Sequence, residues 1–272
     1  PMTAAAPPPT PAPGIDAALR AAIARVAGVE RLLVALDFDG TLAPEVDDPE
    51  AARALPEAAR ALDRLRALPG TTVALVSGRS LASLARVAQV DESWPLIGSH
   101  GLELRFGPGE SPDAISVVDR ERLAALRARL GPLVAAVEGA WVEDKPVGFA
   151  VHSRVVERER ASALEAALRE ATAGDRDLTV RAGKNVLEFA VRDATKGDGL
   201  RALRERFAPD AVLFAGDDVT DEDALAVLAP GDVGIKVGSA PTVAEHRVAD
   251  ARTLAEVLTL LIDVRESPGS DP

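Results

Sequence analysis

Apolar residues recur along this chain in two alternating rhythms. Short continuous runs such as LLVAL at 32–36 and TTVALV at 71–76 have the length and branching of buried strands. Between them, apolar positions return every three or four residues, as on the buried face of a helix. Residues 15–29 carry that helical spacing and end near Gly28; residues 50–68 carry it again and close on Pro69-Gly70. Residues 80–87 predict a further helix, and PLIGSHG at 95–101 a short strand and loop. Strand, helix, strand, helix, strand predicts an α/β domain built on a doubly wound, mostly parallel sheet.

The rhythm changes near residue 105. Residues 106–114 (FGPGESPDA) read as loop, 114–118 as a short strand and 119–137 as a long amphipathic helix. Two strands follow around a Lys145-Pro146 turn, then a helix at 156–172 and two short strands, DLTVRAG and KNVLEFAV. After Lys196 the first rhythm resumes: a helix to Phe207, the strand AVLFAG, the short helix DEDALAVLA, the strand VGIKVG and a closing helix at 252–264. The expected organisation is a Rossmann-like core at 15–106 and 192–272, interrupted by an inserted α+β domain at 107–191. Residues 1–14, rich in Pro and Ala, predict a flexible leader.

Composition narrows the chemistry. With no cysteine, disulfides, thiolate metal sites and a cysteine nucleophile are excluded. No apolar run approaches the ~20 residues of a membrane span. Lys and Arg number 31 against 43 Asp and Glu, a formal net charge of −12, which disfavours nucleic acid and anionic membranes as partners. The expectation is a cytoplasmic protein acting on a small molecule, with a monomer as the default state. An anionic substrate would need local positive charge.

In an open parallel sheet, ligands bind beyond the carboxyl ends of the strands. Four loops fall there: LDFDGT, VSGR, DATKG and FAGDDVTDED. They gather Asp37, Asp39, Thr41, Ser77, Lys196, Asp217, Asp218 and Asp221 on one rim. Each loop alone has an ordinary explanation in turns and helix caps. Together they crowd five aspartates, which repel one another unless a cation intervenes. Oxygen ligands with neither Cys nor His nearby suit Mg²⁺. Mg²⁺ and Lys196 would let the rim hold a phosphate, with Ser77 and turn N–H groups as neutral donors. One carboxylate of the Asp37/Asp39 pair can then attack phosphorus, and the other can move the proton.

DFDGTL with SGR, TKG and GDDVTDED resembles the haloacid dehalogenase superfamily of Mg²⁺-dependent phosphotransferases. The resemblance implies Asp37 as nucleophile and Asp39 as general acid/base. Asp37, the Asp39 carbonyl, Asp217 and Asp218 would serve the metal, with Asp221 in support; Arg79, read from its place in the SGR loop, is expected to form a supporting salt bridge within the rim loops. Thr41, Ser77, Gly78 and Lys196 would hold phosphate. The insertion resembles the cap that closes over small substrates in that superfamily.

IGSHG, EDKPVGFAVHSR and GKNVLEF, added to GDDVTDED, are similar to trehalose-6-phosphate phosphatases. Gly98, His100 and Gly101 would then shape the pocket mouth, and Glu143, Lys145 and Glu188 would contact the sugar that lacks the phosphate. His152, Arg154 and Lys184 would line the same side. Ser153 stands where that family often has Tyr, and Phe189-Ala190 where it often has Arg-Pro. Trp94 and Trp141 are expected to be packing residues. Sucrose 6-phosphate or a mannosyl phosphoglycerate would suit the same core with a different cap, and a phosphomutase would require exclusion of water. A trehalose 6-phosphate sensor would be expected to lack the nucleophile or a metal ligand, yet Asp37, Asp39, Lys196 and Asp217 are all present.

Overall fold

The computed structural model describes residues 14–46, 48–109, 117–145, 147–183 and 185–267. The leader expected at 1–14 lies almost wholly outside them. Helix α1 (Ala17–Ala27), capped by the Asp16 side chain, leads into β1 (Leu32–Leu36). Then come α2 (Pro56–Ala67), β2 (Thr71–Val76), α3 (Leu81–Ala88), β3 (Leu96–Gly98) and β4 (Glu103–Arg105). Helix α4 (Val117–Ala135), β5 (Trp141–Lys145), β6 (Gly148–His152), α5 (Arg158–Thr172), β7 (Thr179–Gly183) and β8 (Val186–Ala190) follow. The chain continues through α6 (Lys196–Phe207), β9 (Ala211–Gly216), α7 (Glu222–Leu225), β10 (Val233–Val237), β11 (His246–Val248) and α8 (Ala251–Glu266). No helix among the described residues is long and apolar enough to cross a membrane.

Seven strands form one sheet in the order β11-β10-β9-β1-β2-β3-β4, and β1 pairs in parallel with both β2 and β9. All five residues of β1 are buried, as a central parallel strand requires. Leu32, Val34 and Leu36 enter a core shared with α1, α2, α3 and α8. Leu33 and Ala35 point to the opposite face, where α6 packs on β1 and β2. The sheet is doubly wound, so β1, β2 and β9 all present their carboxyl ends on the same rim.

The chain divides into two compact units, one of Pro1–Gly101, Arg105–Glu110 and Thr195–Pro272, the other of Leu102–Leu104 and Ser111–Ala194. The second unit holds an antiparallel sheet in the order β5-β6-β8-β7. One face of that sheet, with Phe149, Val151, Leu187 and Phe189, is buried against Leu126 and Leu130 of α4 and Leu164 and Leu168 of α5.

Several elements differ from the sequence expectation. The helix expected from residue 50 starts at Pro56, after a single 3₁₀ turn at Pro49–Ala51. Leu55, placed before a proline, is held extended (φ −55°, ψ 139°), and its N–H donates to the Leu42 carbonyl. Of the strand expected at 114–118, residues 114–116 lie outside the described residues, while Val117 and Val118 open α4. Strands β4 and β11 are three residues each and were not expected. Such short edge strands carry too little pattern to read and exist because a neighbouring strand supplies their hydrogen bonds.

Candidate active site

At the end of β1 the chain leaves the sheet but stays tied to it, because the Asp37 N–H donates to the Ala215 carbonyl of β9 at 3.0 Å. Gly40 adopts φ +77°, and a Cβ there would sit 2.1 Å from an Asp217 oxygen. Only glycine permits both the turn and that approach. Thr41 Oγ1 lies 3.1 Å from Asp37 Oδ2 and 2.9 Å from Asp217 Oδ1, so one hydroxyl joins the loops after β1 and β9. Lys196, the first residue of α6, donates to Asp37 Oδ1 and to Asp221 Oδ1, each at 2.7 Å. The Thr195 and Asp198 capping box sets the start of that helix and therefore the reach of Lys196.

Asp39 is held differently. Arg79 donates Nε to Asp39 Oδ2 at 2.6 Å and Nη2 to Oδ1 at 2.7 Å, a two-pronged pair, and also reaches the Pro49 carbonyl. Ser77 is buried, and its Oγ accepts the Arg79 N–H at 3.2 Å. Its carbonyl accepts the His100 N–H, while Ser99 N–H donates to the Arg79 carbonyl. The two loops are therefore laced together, and Ser99 and His100 both adopt positive φ (48° and 56°). A Cβ on Gly78 would lie 2.4 Å from the His100 ring, so Gly78 seats the imidazole. Gly98 and Gly101 have steric roles as well: a Cβ would meet the Leu81 N at 2.8 Å or the Thr195 carbonyl at 2.3 Å. Asp37, Asp39, Ser77, Gly78, Arg79, His100, Lys196, Asp217 and Asp218 line one cavity of about 530 Å³.

Burial drives the electrostatics. Loss of water pushes Asp37 up to about 6, with Lys196 pulling the other way, and Asp221 likewise to about 6. Asp217 is also raised by burial, against its hydrogen bond from Thr41. Burial of Lys196 alone would lower its pKa, but Asp37 and Asp221 outweigh that and hold it charged, above its ordinary value. Asp218 feels burial too, yet the Val219 N–H and Thr220 hydroxyl bring it below the usual carboxylate range.

Two residues beyond the motifs support this rim. Lys236, in β10, is buried and donates to the Asp218 carbonyl at 3.0 Å and to Glu222 Oε1 at 2.9 Å. Glu222 Oε2 accepts from Thr242 Oγ1 and the Val243 N–H. The network pins the turn after β9 to the loop after β10. A lysine inside an otherwise apolar strand, VGIKV, was the signal available in the sequence. Glu45 also lines the cavity.

The second unit gathers its own polar face. Glu143 accepts from Lys145 Nζ at 2.6 Å and lies 2.9 Å from His152 Nε2. These contacts hold Glu143 below the usual range, the Lys145 hydrogen bond most strongly. Glu143 and Glu188 flank Ala150 in adjacent register positions. Arg154 is exposed in the turn after β6, and Lys184 lies outside the described residues. Trp94 is buried, with the Arg66 guanidinium over its ring. Trp141 is not a packing residue: it is 50% exposed and stacks on His152. Strand alternation puts Trp141 on the side of Glu143 and Lys145, away from the helices.

The chain has relatives among known proteins. The family described as Trehalose-phosphatase matches residues 35–257, which include all four loops of the rim. The chain belongs to the trehalose-phosphatase family. A trehalose-phosphate phosphatase of Mycobacterium marinum is 38% identical over 223 residues, covering 77% of this chain and 54% of that protein. A bifunctional trehalose-6-phosphate synthase/phosphatase of Thermoproteus tenax is 34% identical over 245 residues, covering 86% and 32% respectively. The chain thus spans about half the length of the mycobacterial relative and a third of the archaeal one. Among solved structures, a trehalose-6-phosphate phosphatase of Aspergillus fumigatus superposes with a TM-score of 0.68 at 26% identity, over 92% of this chain and 98% of that one.

Members of this family are expected to use Mg²⁺, and the rim offers a donor set that suits it. One carboxylate oxygen each from Asp37, Asp217 and Asp221 lies within 4.8 Å of the others. The set is all oxygen, largely buried, and Lys196 is the ammonium that touches it. Two buried carboxylates, a half-buried third and one ammonium leave negative charge that a divalent cation would neutralise.

Proposed function

We propose that this chain is a Mg²⁺-dependent phosphoric monoester hydrolase that converts trehalose 6-phosphate to trehalose and phosphate. The observation that carries the reading is the buried Asp37 carboxylate, held at 2.7 Å by Lys196 among Asp217 and Asp221. Family membership and the likeness to trehalose-phosphate phosphatases support the choice of ester. The metal would lie among Asp37, Asp217 and Asp221, whose carboxylate oxygens cluster, so that Asp221 joins the set expected from the sequence: Asp37, the Asp39 carbonyl, Asp217 and Asp218. Bound Mg²⁺ would neutralise the carboxylates and draw charge from the phosphoryl oxygens.

An Asp37 carboxylate oxygen attacks phosphorus, and the bond from phosphorus to the sugar 6-oxygen breaks. Asp39, as the carboxylic acid, gives its proton to the departing alkoxide. The aspartyl-phosphate is then opened by water, which adds to phosphorus as Asp39 takes its proton and Asp37 is released. Lys196, Ser77 and the N–H groups of the Gly78 turn hold the phosphoryl oxygens, whose charge rises in the transition state. Arg79 grips both Asp39 oxygens in this structure and must free one of them before a proton can sit there. The unit centred on residues 111–194 is proposed to act as the cap, its Glu143, Lys145 and Glu188 meeting the hydroxyls of the sugar without phosphate.

Phosphate release from trehalose 6-phosphate, sucrose 6-phosphate, glucose 6-phosphate and p-nitrophenyl phosphate, each with Mg²⁺ and with EDTA, tests the reading. Preference for trehalose 6-phosphate that is lost in EDTA is expected, along with loss of turnover in Asp37→Asn. Turnover retained by Asp37→Asn would remove the covalent mechanism, and a different preferred ester would remove the substrate.

A further inference from the structure

The chain has only eight aromatic residues, two Trp and six Phe, with no Tyr. Seven of them are buried or partly buried, among them Phe38, Trp94, Phe149, Phe189 and Phe214; Trp141 alone is exposed. An indole placed to fill a core would point toward α4 and α5, where Phe149 and Phe189 pack. Residue 141 instead alternates onto the same face of β5 as Glu143 and Lys145, opposite His152 in register.

On that face the ring is held, not loose. The His152 imidazole lies parallel to it, 3.9 Å between centroids and 8° between planes. His152 is in turn fixed by Glu143 at 2.9 Å, and Glu143 by Lys145 at 2.6 Å. One face of the indole is therefore covered, and its exposed area is the opposite face and edge. A rigid aromatic plane rimmed by carboxylate and ammonium groups is a surface of mixed character. It matches a pyranose, which presents an apolar face of C–H bonds and an equatorial ring of hydroxyls.

We infer that Trp141 is the stacking platform for a glucose ring, oriented by His152 and Glu143, and that it sets the preference for a disaccharide ester. The inference rests on the reading of the chain as a trehalose 6-phosphate phosphatase and adds a contact that none of its motifs supplies. Its occupant is the sugar that bears no phosphate, because that ring is uncharged and offers only a C–H face and hydroxyls to be recognised.

Two measurements on the full chain test it. In the first, trehalose is titrated while tryptophan emission is followed. Trp94 is buried, so Trp141 should report the contact by a shift to shorter wavelength that is absent in Trp141→Leu. In the second, Trp141→Leu should lower kcat/KM for trehalose 6-phosphate about three- to tenfold relative to that for p-nitrophenyl phosphate, mainly through KM. Trp141→Phe should restore most of the difference. An equal loss on both esters would make Trp141 structural and overturn the inference, as would an unchanged KM for trehalose 6-phosphate or a silent emission spectrum at saturating trehalose. If no ester is hydrolysed but trehalose still shifts the emission, the platform stands and the hydrolase reading falls.

Discussion

Lys196 ties two of the site's carboxylates together. It is 3% exposed, and its ammonium is shared between two buried carboxylates, those of Asp37 and Asp221. Removing one member of such a group leaves the others charged in a medium that solvates them poorly. Lys196→Met is therefore expected to lower stability by about 3–5 kcal/mol in the absence of metal, read from urea unfolding. The double variant Lys196→Met/Asp37→Asn should recover part of that loss, because the uncompensated charge goes with it. A loss below about 1 kcal/mol would mean that the carboxylates are already neutral without the lysine. The residue scale was also the most legible in sequence. Asp37, Asp39, Lys196 and Asp217 stand in loops whose spacing brings strand ends to mind before any fold is known. A salt bridge of Arg79 within the rim loops was legible, but not which carboxylate each cation would take. The sequence placed Asp39 beside Asp37 by number, whereas the fold gives Asp37 to Lys196 and Asp39 to Arg79.

At the level of elements, the rim depends on how neighbouring loops are tied. Lys236 leaves β10 beside Gly216 of β9 and meets both the Asp218 carbonyl and Glu222. Lys236→Met would keep the strand apolar but strand Glu222 and release the turn that carries Asp217 and Asp218. The expected result is a loss of about 3 kcal/mol in stability and a weaker Mg²⁺ affinity by isothermal titration, with Lys236→Arg retaining more of both. Unaltered Mg²⁺ affinity would confine Lys236 to a structural part. Elements also mark where periodicity misleads. The helical pattern from residue 50 is real as a pattern, but Pro56 forces its predecessor into extended backbone, and the segment before it folds as a 3₁₀ turn. Strands β4 and β11 were illegible because three residues hold no period.

For the whole molecule, charge and burial couple folding to pH and metal. Asp37 and Asp221 are raised to about 6 by burial, from an unfolded value near 4. The folded chain thus binds protons more tightly than the unfolded chain between about pH 4 and 6. Stability from these groups is complete below that window and is lost as pH rises through 6. Lys196, shifted upward, acts only above pH 10, and carboxylates held low, such as Asp198 and Asp250, act below the window. In EDTA, the melting temperature is expected to fall between pH 5 and 7.5, by an amount equivalent to a few kcal/mol. Millimolar Mg²⁺ at pH 7.5 should restore it, because the cation binds the ionised carboxylates of the folded state. A metal-free melting temperature that rises across this range would contradict the burial of those charges.

By itself the sequence determined the alternation of elements, the order of the four loops and the chemistry that their carboxylates, lysine and serine can perform. These follow from local propensity and from the rule that parallel strands offer their carboxyl ends to one rim. Tertiary structure alone decided the pairings: Lys196 with Asp37 and Asp221, Arg79 with Asp39, Lys236 beneath Asp218, and Trp141 facing water against His152. Partners far apart in number meet only when strand order and register are set. Those depend on the burial of the whole core, which no single stretch of sequence encodes.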